Sequence, residues 1–403
     1  MLRYECKKIF SRSKNRIAVL VMAAVLAVTS ILTINRVEYV DENGQSATGI
    51  TAAAKLRAAK NEWTGYLTEE VLQKALTENN RINQSEQAQS EDIGEQNKAY
   101  AKKQGFADIV DVISSAFSEY RNYDYFAANH VSVEDVGTVY ERRIDVLKDW
   151  LDSGEETYTQ GEKDFLIHQY ETLDTPFYYE YADGWEALLQ NISTVLLILA
   201  LIIGFLIAGI FSDEFQTRAD AIFFSSKLGR GRAILSKIAA GLLTATVFYF
   251  VFTLLYTCIV LAVLGADGAG CPIQLDMWRS SYNITYFQAY LFIVTGGYIA
   301  VLLSSVLAML VSALSHSTTV AVMVPFILLC AFPFLSRIIT LPGLCSLFPD
   351  QLLQIYVDLR ESSLFDLAGR VVTAPMVMIP VYTVISLLLL PVLYHAYKRT
   401  EAR

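Results

Sequence analysis

The chain has 403 residues, of which 53% are hydrophobic and only 18% are charged, and its formal net charge is −9. This composition excludes an ordinary soluble domain and indicates a membrane protein. The acidity is local, because residues 35–187 hold 30 acidic and 14 basic side chains while the rest of the chain is net basic. The net charge therefore says nothing about the whole molecule. We predict no nucleic-acid partner.

Six apolar runs approach the length of about 20 residues that a membrane-spanning helix needs. The predicted fold class is mainly α: a polytopic membrane protein with six transmembrane helices and a large helical extracellular domain between the first and the second. The predicted spans are 17–34, 188–211, 238–264, 290–314, 318–335 and 375–394. The fifth run is marginal in length.

The first run follows a basic start, so a cleaved signal peptide is the alternative to a membrane anchor. Its 18 apolar residues exceed the usual apolar region of a signal peptide, and no A-x-A cleavage pattern closes it. We predict an uncleaved anchor.

Lysine and arginine in the short connections predict the orientation. Fourteen of these side chains lie in the basic N-terminus 1–16, the segment 212–237 and the tail 395–403, whereas the loops 265–289 and 336–374 hold four. Basic residues concentrate on the cytoplasmic side of membrane proteins. Both termini and 212–237 are therefore predicted to be cytoplasmic, in a multi-pass protein of the cell (plasma) membrane.

On this orientation the turn 315–317 is cytoplasmic, and the 153 residues of 35–187 form the extracellular domain. Their patterning predicts helices. The stretch "EEVLQKAL" places apolar residues on one face, while "SVED" at 132–135 and "TQGE" at 159–162 are helix-start signals. The polar stretch 79–98 is predicted to be exposed or mobile.

Four aromatic residues, Tyr178, Tyr179, Tyr181 and Trp185, precede the second span. Aromatic side chains concentrate where a helix meets the membrane surface. We predict that they form such an interfacial belt.

Cysteine is absent from 35–187, so the predicted outer domain has no disulfide. Cys271 and Cys345 both lie in loops predicted to face outward. They either pair or remain two thiols, and two thiols are the favoured interpretation.

Motifs for catalysis and energy coupling are missing from the sequence. The second to sixth predicted spans contain no Asp, Glu, Lys, Arg or His side chain, and no G-x-x-x-x-G-K-[ST] loop occurs. We therefore predict that the chain is not an enzyme, that it neither hydrolyses ATP nor couples to an ion gradient, and that it has no catalytic, cofactor-binding or metal-binding residues. The four histidines lie outside the spans or at their ends, which argues against an intramembrane hydrolase.

Small residues recur at intervals of four in two spans and predict close helix packing. Such ridges serve either the bundle of one chain or a seam between two chains, and the pattern does not distinguish these. The ridge residues are Ala200, Gly204, Ala208, Ala300, Ser304, Ala308 and Ser312.

The segment 212–237 returns to the membrane after a short, mixed sequence. If "DEFQTRADAIFF" is helical, Phe215, Ala219, Ile222 and Phe223 share one face. One interpretation is a helix lying on the membrane surface. The other is a docking helix for a cytoplasmic partner, which a chain without its own energy source would need.

The acidic end of the second span, the amphipathic segment and "SKLGRGRAILSK" together resemble the membrane subunit of ABC-2-type transporters. The resemblance implies that this connection is the coupling helix that docks an ATPase. It implies a docking segment of Asp213, Glu214, Phe215, Arg218, Ile222, Phe223 and Phe224, and a basic collar of Arg230, Arg232 and Lys237.

The resemblance also implies a function: a permease subunit of an ABC exporter that moves a peptide, lipid, drug or ion outward. Its partners would be an ABC ATPase subunit carrying ATP and Mg, a second permease copy or a related permease, and membrane lipid. The stretch 348–375 is similar to the short outward helices of the family, with Asp350 and Ser362 as caps. The first helix would bear Leu352, Leu353, Ile355 and Tyr356, and the second Phe365, Ala368 and Val372.

A membrane-anchored sensor or assembly protein is the alternative function. In that case the outer helical domain binds a ligand or a partner, and the spans only anchor it. The predicted cytoplasmic segments are too short to hold a signalling domain, so a signal would also have to leave through a docked partner.

Overall fold

The computed structural model describes residues 1–226, 229–335, 338, 342–367 and 369–400. Within these residues α-helices dominate, and strands occur only as three two-stranded antiparallel pairs. The predicted mainly α class is confirmed.

The chain begins with two helices, α1 (Leu2–Ser11) and α2 (Ser13–Ile34). Arg12 separates them with an extended backbone, at φ −80° and ψ 130°. α2 contains the first predicted span. α1 was not predicted, because its basic residues were used only as a signal for orientation.

The connection after α2 folds into six helices and two strand pairs. In chain order these are β1 (Glu38–Val40), β2 (Ser46–Thr48), α3 (Ile50–Asn61), β3 (Gly65–Tyr66), α4 (Glu69–Asn83), α5 (Ile93–Ala101), α6 (Ala107–Phe117), α7 (Val139–Ser153), α8 (Gln160–Glu171) and β4 (Tyr178–Tyr179), with 3₁₀ turns at Ala127–His130 and Asp135–Thr138. β1 pairs with β2, and β3 pairs with β4. We call residues 35–182 the connection domain.

Local helix signals read from the sequence are present in the connection domain. On α4 the predicted apolar face is buried at Leu72, Ala75 and Leu76. Thr159 and Glu162 form a reciprocal capping box at the start of α8. The polar stretch 79–98 is exposed or half-buried except at Asn79 and Ile82, which agrees with the exposed alternative, and α4 and α5 both extend into it.

The second half of the chain packs with α2 into a helical bundle. Its elements are α9 (Asp183–Ile207), α10 (Asp213–Gln216), α11 (Asp220–Ser225), α12 (Arg232–Leu264), α13 (Tyr286–Ser315), α14 (Thr318–Phe326), α15 (Phe332–Leu335), α16 (Pro342–Cys345), α17 (Ile355–Arg360), β5 (Leu364–Leu367), β6 (Arg370–Thr373) and α18 (Ala374–Lys398). A π-helical turn at Ile327–Ala331 joins α14 to α15, and 3₁₀ turns occur at Ile273–Leu275 and Pro349–Leu353.

The bundle is arranged around α13, the most buried of its long helices, which contacts α9, α12, α14 and α18. The connection domain packs on one end of the bundle, which we call the domain end. Residues 208–226 and 229–231, helix α1 and the C-terminal end of α18 lie at the other end, which we call the terminal end. There Lys8 Nζ lies 2.5 Å from Glu214, and Arg230 donates a hydrogen bond to the carbonyl of Lys398 at 2.9 Å.

Among the described residues, five helices are long and apolar enough to cross a membrane, namely α2, α9, α12, α13 and α18. The predicted span 318–335 is helical but divided into α14, the π-helical turn and α15. Pro325 lies inside α14, where its missing N–H and its ring disturb the regular hydrogen-bond ladder. The count of six spans stays a prediction.

Both predicted small-residue ridges are buried within the chain. Ser312 Oγ on α13 donates a hydrogen bond to the carbonyl of Ala208 at 2.5 Å. A Cβ atom added to Gly204 would collide with the ring of Pro325 on α14. The ridges therefore bring α9, α13 and α14 of one chain close together.

The aromatic belt predicted before the second span is wrong for three of its four members. Tyr179, Tyr181 and Trp185 are at most 5% exposed. Tyr181 Oη donates to the carbonyl of Leu264 at 2.7 Å, and Trp185 Nε1 donates to that of Ala266 at 3.1 Å. These rings are buried because their polar atoms find carbonyl partners at the end of α12 and in the loop after it.

Of the two short helices predicted in 348–375, only the first forms, as a 3₁₀ turn at Pro349–Leu353 followed by α17. Its N-cap position is Phe348, so the predicted cap at Asp350 is wrong. The second is wrong, because Phe365 and Val372 face each other in the antiparallel hairpin β5–β6. Gly369 takes a positive φ of 84° at the turn, and β-branched residues fill β6. Ser362 bonds the hydroxyl of Ser281 and caps no helix, while position 368 lies outside the described residues.

Cys271 is fully buried in the loop between α12 and α13. In the part of the chain that the structure describes, no disulfide joins it to Cys345. The favoured alternative of two thiols agrees with this structure.

Candidate functional site at the terminal end

The segment predicted to dock a partner forms a corner of two short helices, α10 and α11. They meet at Arg218, whose φ of 54° is in the left-handed region. A left-handed residue other than glycine costs about 1–2 kcal/mol, so surrounding contacts must hold the bend. The single helix considered for "DEFQTRADAIFF" is therefore broken in the middle.

The two acidic residues that open α10 are buried at 4% and 5% exposure. Asp213 forms an ion pair with Arg12, which lies between α1 and α2. Glu214 accepts hydrogen bonds on one carboxylate oxygen from Lys8 at 2.5 Å and from Lys237 at 2.7 Å. The acidic residues of the predicted docking segment therefore bind residues of the N-terminus and of α12 within the same chain.

Lys237 is the centre of this network and has no exposed surface. Besides Glu214, its ammonium donates to the carbonyl of Ile210 at 2.9 Å and reaches Glu5 at 3.4 Å. Arg230 and Arg232, the other members of the predicted basic collar, are exposed. The collar is therefore divided into one buried cation and two exposed ones.

Glu214 stays charged in these surroundings. Burial raises the pKa of its carboxyl group, but the ammonium groups of Lys237 and Lys8 outweigh burial and hold the pKa below its ordinary value. Its second oxygen is buried without a hydrogen-bond partner in the described chain. Because two ammonium groups compensate it, the buried carboxyl group of Glu214 carries its negative charge.

An aromatic cluster supports the same corner from the other side. Phe215 stacks on His316 with ring centroids 3.8 Å apart. Phe223 and Phe224 pack against Tyr397 of α18 at 6.0 and 5.3 Å. The two phenylalanines predicted as an apolar docking knob therefore face the chain's own C-terminal helix.

The outward surface of the corner is smaller than the predicted docking segment. Ile222 is 77% exposed, and of the predicted docking residues only Ile222 and Arg218 are fully on the surface. We call this exposed patch the corner surface; it comprises Gln216, Thr217, Arg218, Ala221 and Ile222.

Sequence reasoning missed the contribution of the N-terminus. In the sequence Lys8 and Arg12 serve only as orientation signals, yet they form the ion pairs of α10. Asn15 adds a buried amide that donates to the carbonyls of Ile9 and Leu206 at 2.8 and 3.2 Å. An asparagine just before an apolar run is the one local sequence signal that could have indicated a contact there.

No family model, no curated protein and no solved structure matches this chain. Within the described residues, no three His, Cys, Asp or Glu side chains are grouped to hold a metal ion. Function must be inferred from the contacts of the corner and from its exposed surface.

Proposed function

We propose that this chain is the permease subunit of an ABC exporter, and that the corner surface docks a separate ATPase subunit. The observation that carries the proposal is the corner itself: Ile222 and Arg218 are exposed on a base that ion pairs and aromatic rings hold in place. ATP and Mg would bind to the partner, since the sequence has no phosphate-binding loop.

The chemistry of the corner surface fits a protein groove. An exposed apolar side chain beside a cation is typical of a short helix that a partner binds by its side chains. Burying an isoleucine against a partner contributes roughly 1.5–3 kcal/mol. The bend at Arg218 costs nothing further on binding, because it is already formed in the free chain.

The proposal includes six spans, with both termini and the corner in the cytoplasm of a cell-membrane protein and the connection domain outside. The helical residues of 318–335 would reach about 27 Å at 1.5 Å per residue. This length approaches the apolar thickness of a bilayer, about 30 Å. The basic residues of the terminal end agree with this orientation.

A second copy of the chain, or a related permease, would complete the transport path. The small-residue ridges are already used within one chain, but α18 presents large apolar side chains outward, among them Leu387 at 59% and Leu388 at 63% exposure. Such a surface fits lipid or a second permease. The exported substrate stays open among a peptide, a lipid, a drug and an ion.

Ile222→Asp tests the docking proposal. The tagged full-length chain is purified from its native membranes in mild detergent, and co-purifying ATPases are identified by mass spectrometry. We expect the wild type to retain an ATPase with a Walker A motif. Ile222→Asp should lower the amount of co-purified ATPase at least about tenfold, the equivalent of 1.4 kcal/mol. Ile222 is a better probe than Phe224, which is 6% exposed and supports the fold.

Ile93→Asp is the matched control. Ile93 is 72% exposed on α5, so the control adds the same charge to a similarly exposed isoleucine far from the corner. It should retain the ATPase. Equal retention by Ile222→Asp and Ile93→Asp, or no ATPase with the wild type, would contradict the proposal.

The anchored sensor or assembly protein is favoured by one observation, a cavity of about 990 Å³ between the connection domain and the domain end of the bundle. A ligand site there would suit a receptor as well as an exporter. A kinase or a scaffold protein in place of the ATPase among the co-purified proteins would favour this second function.

A further inference from the structure

The cavity at the domain end has walls from both parts of the molecule. The connection domain contributes α6 and the residues around Tyr120–Tyr125. The bundle contributes Glu186 near the start of α9, the loop 275–281 and α17. A volume of about 990 Å³ is at the upper end of ordinary ligand sites, which are roughly 300–1,000 Å³.

Carboxyl groups outnumber cations along the part of the wall where the two halves meet. Asp108, Asp111, Glu186 and Asp276 line the cavity there. Lys60 lies 2.7 Å from Asp108, but it also binds Asp183 at 2.8 Å and is therefore shared. The carboxyl groups that Lys60 does not bind are available to solvent or to a ligand.

Asp276 supplies a second observation that points to a ligand. Its Oδ2 atom is buried and has no hydrogen-bond partner in the described chain. Burial raises the pKa of Asp276, and Asp108 raises it further, although Arg360 offsets part of this effect. A buried carboxylate oxygen without a partner is costly, so a donor brought by a ligand would be stabilising.

Aromatic rings complete the wall and already hold cations of the chain itself. The guanidinium of Arg121 lies 4.9 Å from the ring centre of Trp150, and that of Arg279 lies 5.3 Å from Tyr120. Tyr123 and Tyr125 form an edge-to-face pair nearer the carboxyl groups, and Tyr123 donates to Asp111 at 3.1 Å. Tyrosine faces attract ammonium and guanidinium groups in the same way.

We propose that this cavity binds an organic cation that carries ammonium or guanidinium groups and has the size of a short peptide. Asp276 and Glu186 would accept hydrogen bonds from the cationic groups, and Tyr123 and Tyr125 would cover the apolar part. The volume and the aromatic wall suit an organic cation better than a bare metal ion. The proposal does not rest on ATPase docking, because the corner surface lies at the opposite end of the bundle.

Isothermal titration calorimetry on the detergent-purified full chain tests the proposal. The probe is Lys-Tyr-Lys amide, and Glu-Tyr-Glu amide is its matched acidic comparator. We expect the basic peptide to bind and the acidic one not to bind, with weaker binding at high salt. Spermine is the second cationic probe: binding of both cations supports the general class, and binding of the peptide alone narrows it to peptides.

Three variants locate the site. Asp276→Asn keeps the shape but removes the charge and should weaken binding of Lys-Tyr-Lys amide about tenfold, whereas Glu134→Gln, an exposed acid outside the cavity wall, should change nothing. Arg360→Gln removes a competing cation and should strengthen binding several-fold, a gain that misfolding cannot produce.

The proposal would be overturned if the basic and acidic peptides bind equally or neither cation binds. It would also be overturned if Asp276→Asn, eluting as a single peak on size exclusion, binds the basic peptide as tightly as the wild type. None of these results bears on the ATPase, so this proposal and the exporter proposal fail separately.

Discussion

The two ends of the bundle bury ionisable side chains in opposite ways. At the terminal end two buried carboxylates meet cations, with Asp213 bound by Arg12 and Glu214 bound by two lysines. At the domain end carboxyl groups outnumber cations in the cavity wall. A compensated network fixes one structure, whereas an uncompensated one retains the capacity to bind a cation.

The pKa shifts follow the same division. Neighbouring ammonium groups hold the pKa of Glu214 below its ordinary value, against the effect of burial. At the domain end burial dominates, and it raises the pKa of Asp276, of Asp111 and of Asp358, the last to about 6. The difference lies in the partners, because burial raises the pKa of each of these groups and only Glu214 has ammonium groups that outweigh it.

The largest effect is expected where the compensated network loses its central cation. Lys237→Met should lower the free energy of unfolding by about 3–5 kcal/mol, because it leaves the carboxylate of Glu214 buried with less compensation. Thermal unfolding of the purified chain measures the loss. Lys7→Met, which removes an exposed lysine of α1, is the control. An equal, small effect of both variants would mean that the network is not structural.

A smaller effect is expected at Asp358 on α17, which accepts hydrogen bonds from Tyr282 and from the Ser363 amide. Because its pKa in the folded chain, about 6, lies above the unfolded value, the folded state gains a proton first as the pH falls. The wild type should therefore gain about 1.3 kcal/mol of stability relative to Asp358→Asn between pH 7 and pH 5. Melting of both proteins across this range checks the sign. A constant difference between them would contradict the raised pKa.

The smallest effect has opposite signs at the two ends. Asp276→Asn should raise the free energy of unfolding by about 1 kcal/mol, because a neutral amide is less costly to bury than a carboxylate without a partner. Asp213→Asn, the same change at the terminal end, should lower it because Arg12 loses its ion pair. Melting temperatures in one detergent compare the two variants. Destabilisation by both would remove the distinction between the ends.

Local signals predicted much of the fold. Long apolar runs indicated five helices that are long enough to cross a membrane, and the pair Thr159 and Glu162 indicated the start of α8. Each of these signals lies within one helix or one turn. The broken stretch after Pro325 was predicted as one span, because hydropathy does not register a π-helical turn.

The candidate site was predicted in position but not in its contacts. Lys8 binds Glu214 across 206 positions of sequence, and Tyr181 reaches the carbonyl of Leu264 across 83. Such pairs leave no periodic pattern in the sequence. The sequence therefore predicts a docking role for Asp213 and Glu214 and an interfacial belt for the tyrosines before the second span. The same long-range packing turned Phe223 and Phe224 inward and left Ile222 as the apolar residue of the corner surface.

The stacking of Phe215 on His316 has a mechanical consequence. His316 terminates α13, a rod of 30 residues and about 45 Å whose other end, Tyr286, donates a hydrogen bond to Glu186 at 2.9 Å. A displacement of the corner surface would be transmitted to α13 through the ring of Phe215, which contacts His316 at the end of that helix. Because α13 is one continuous helix, the same displacement would reach the carboxylate of Glu186 in the wall of the cavity at the domain end.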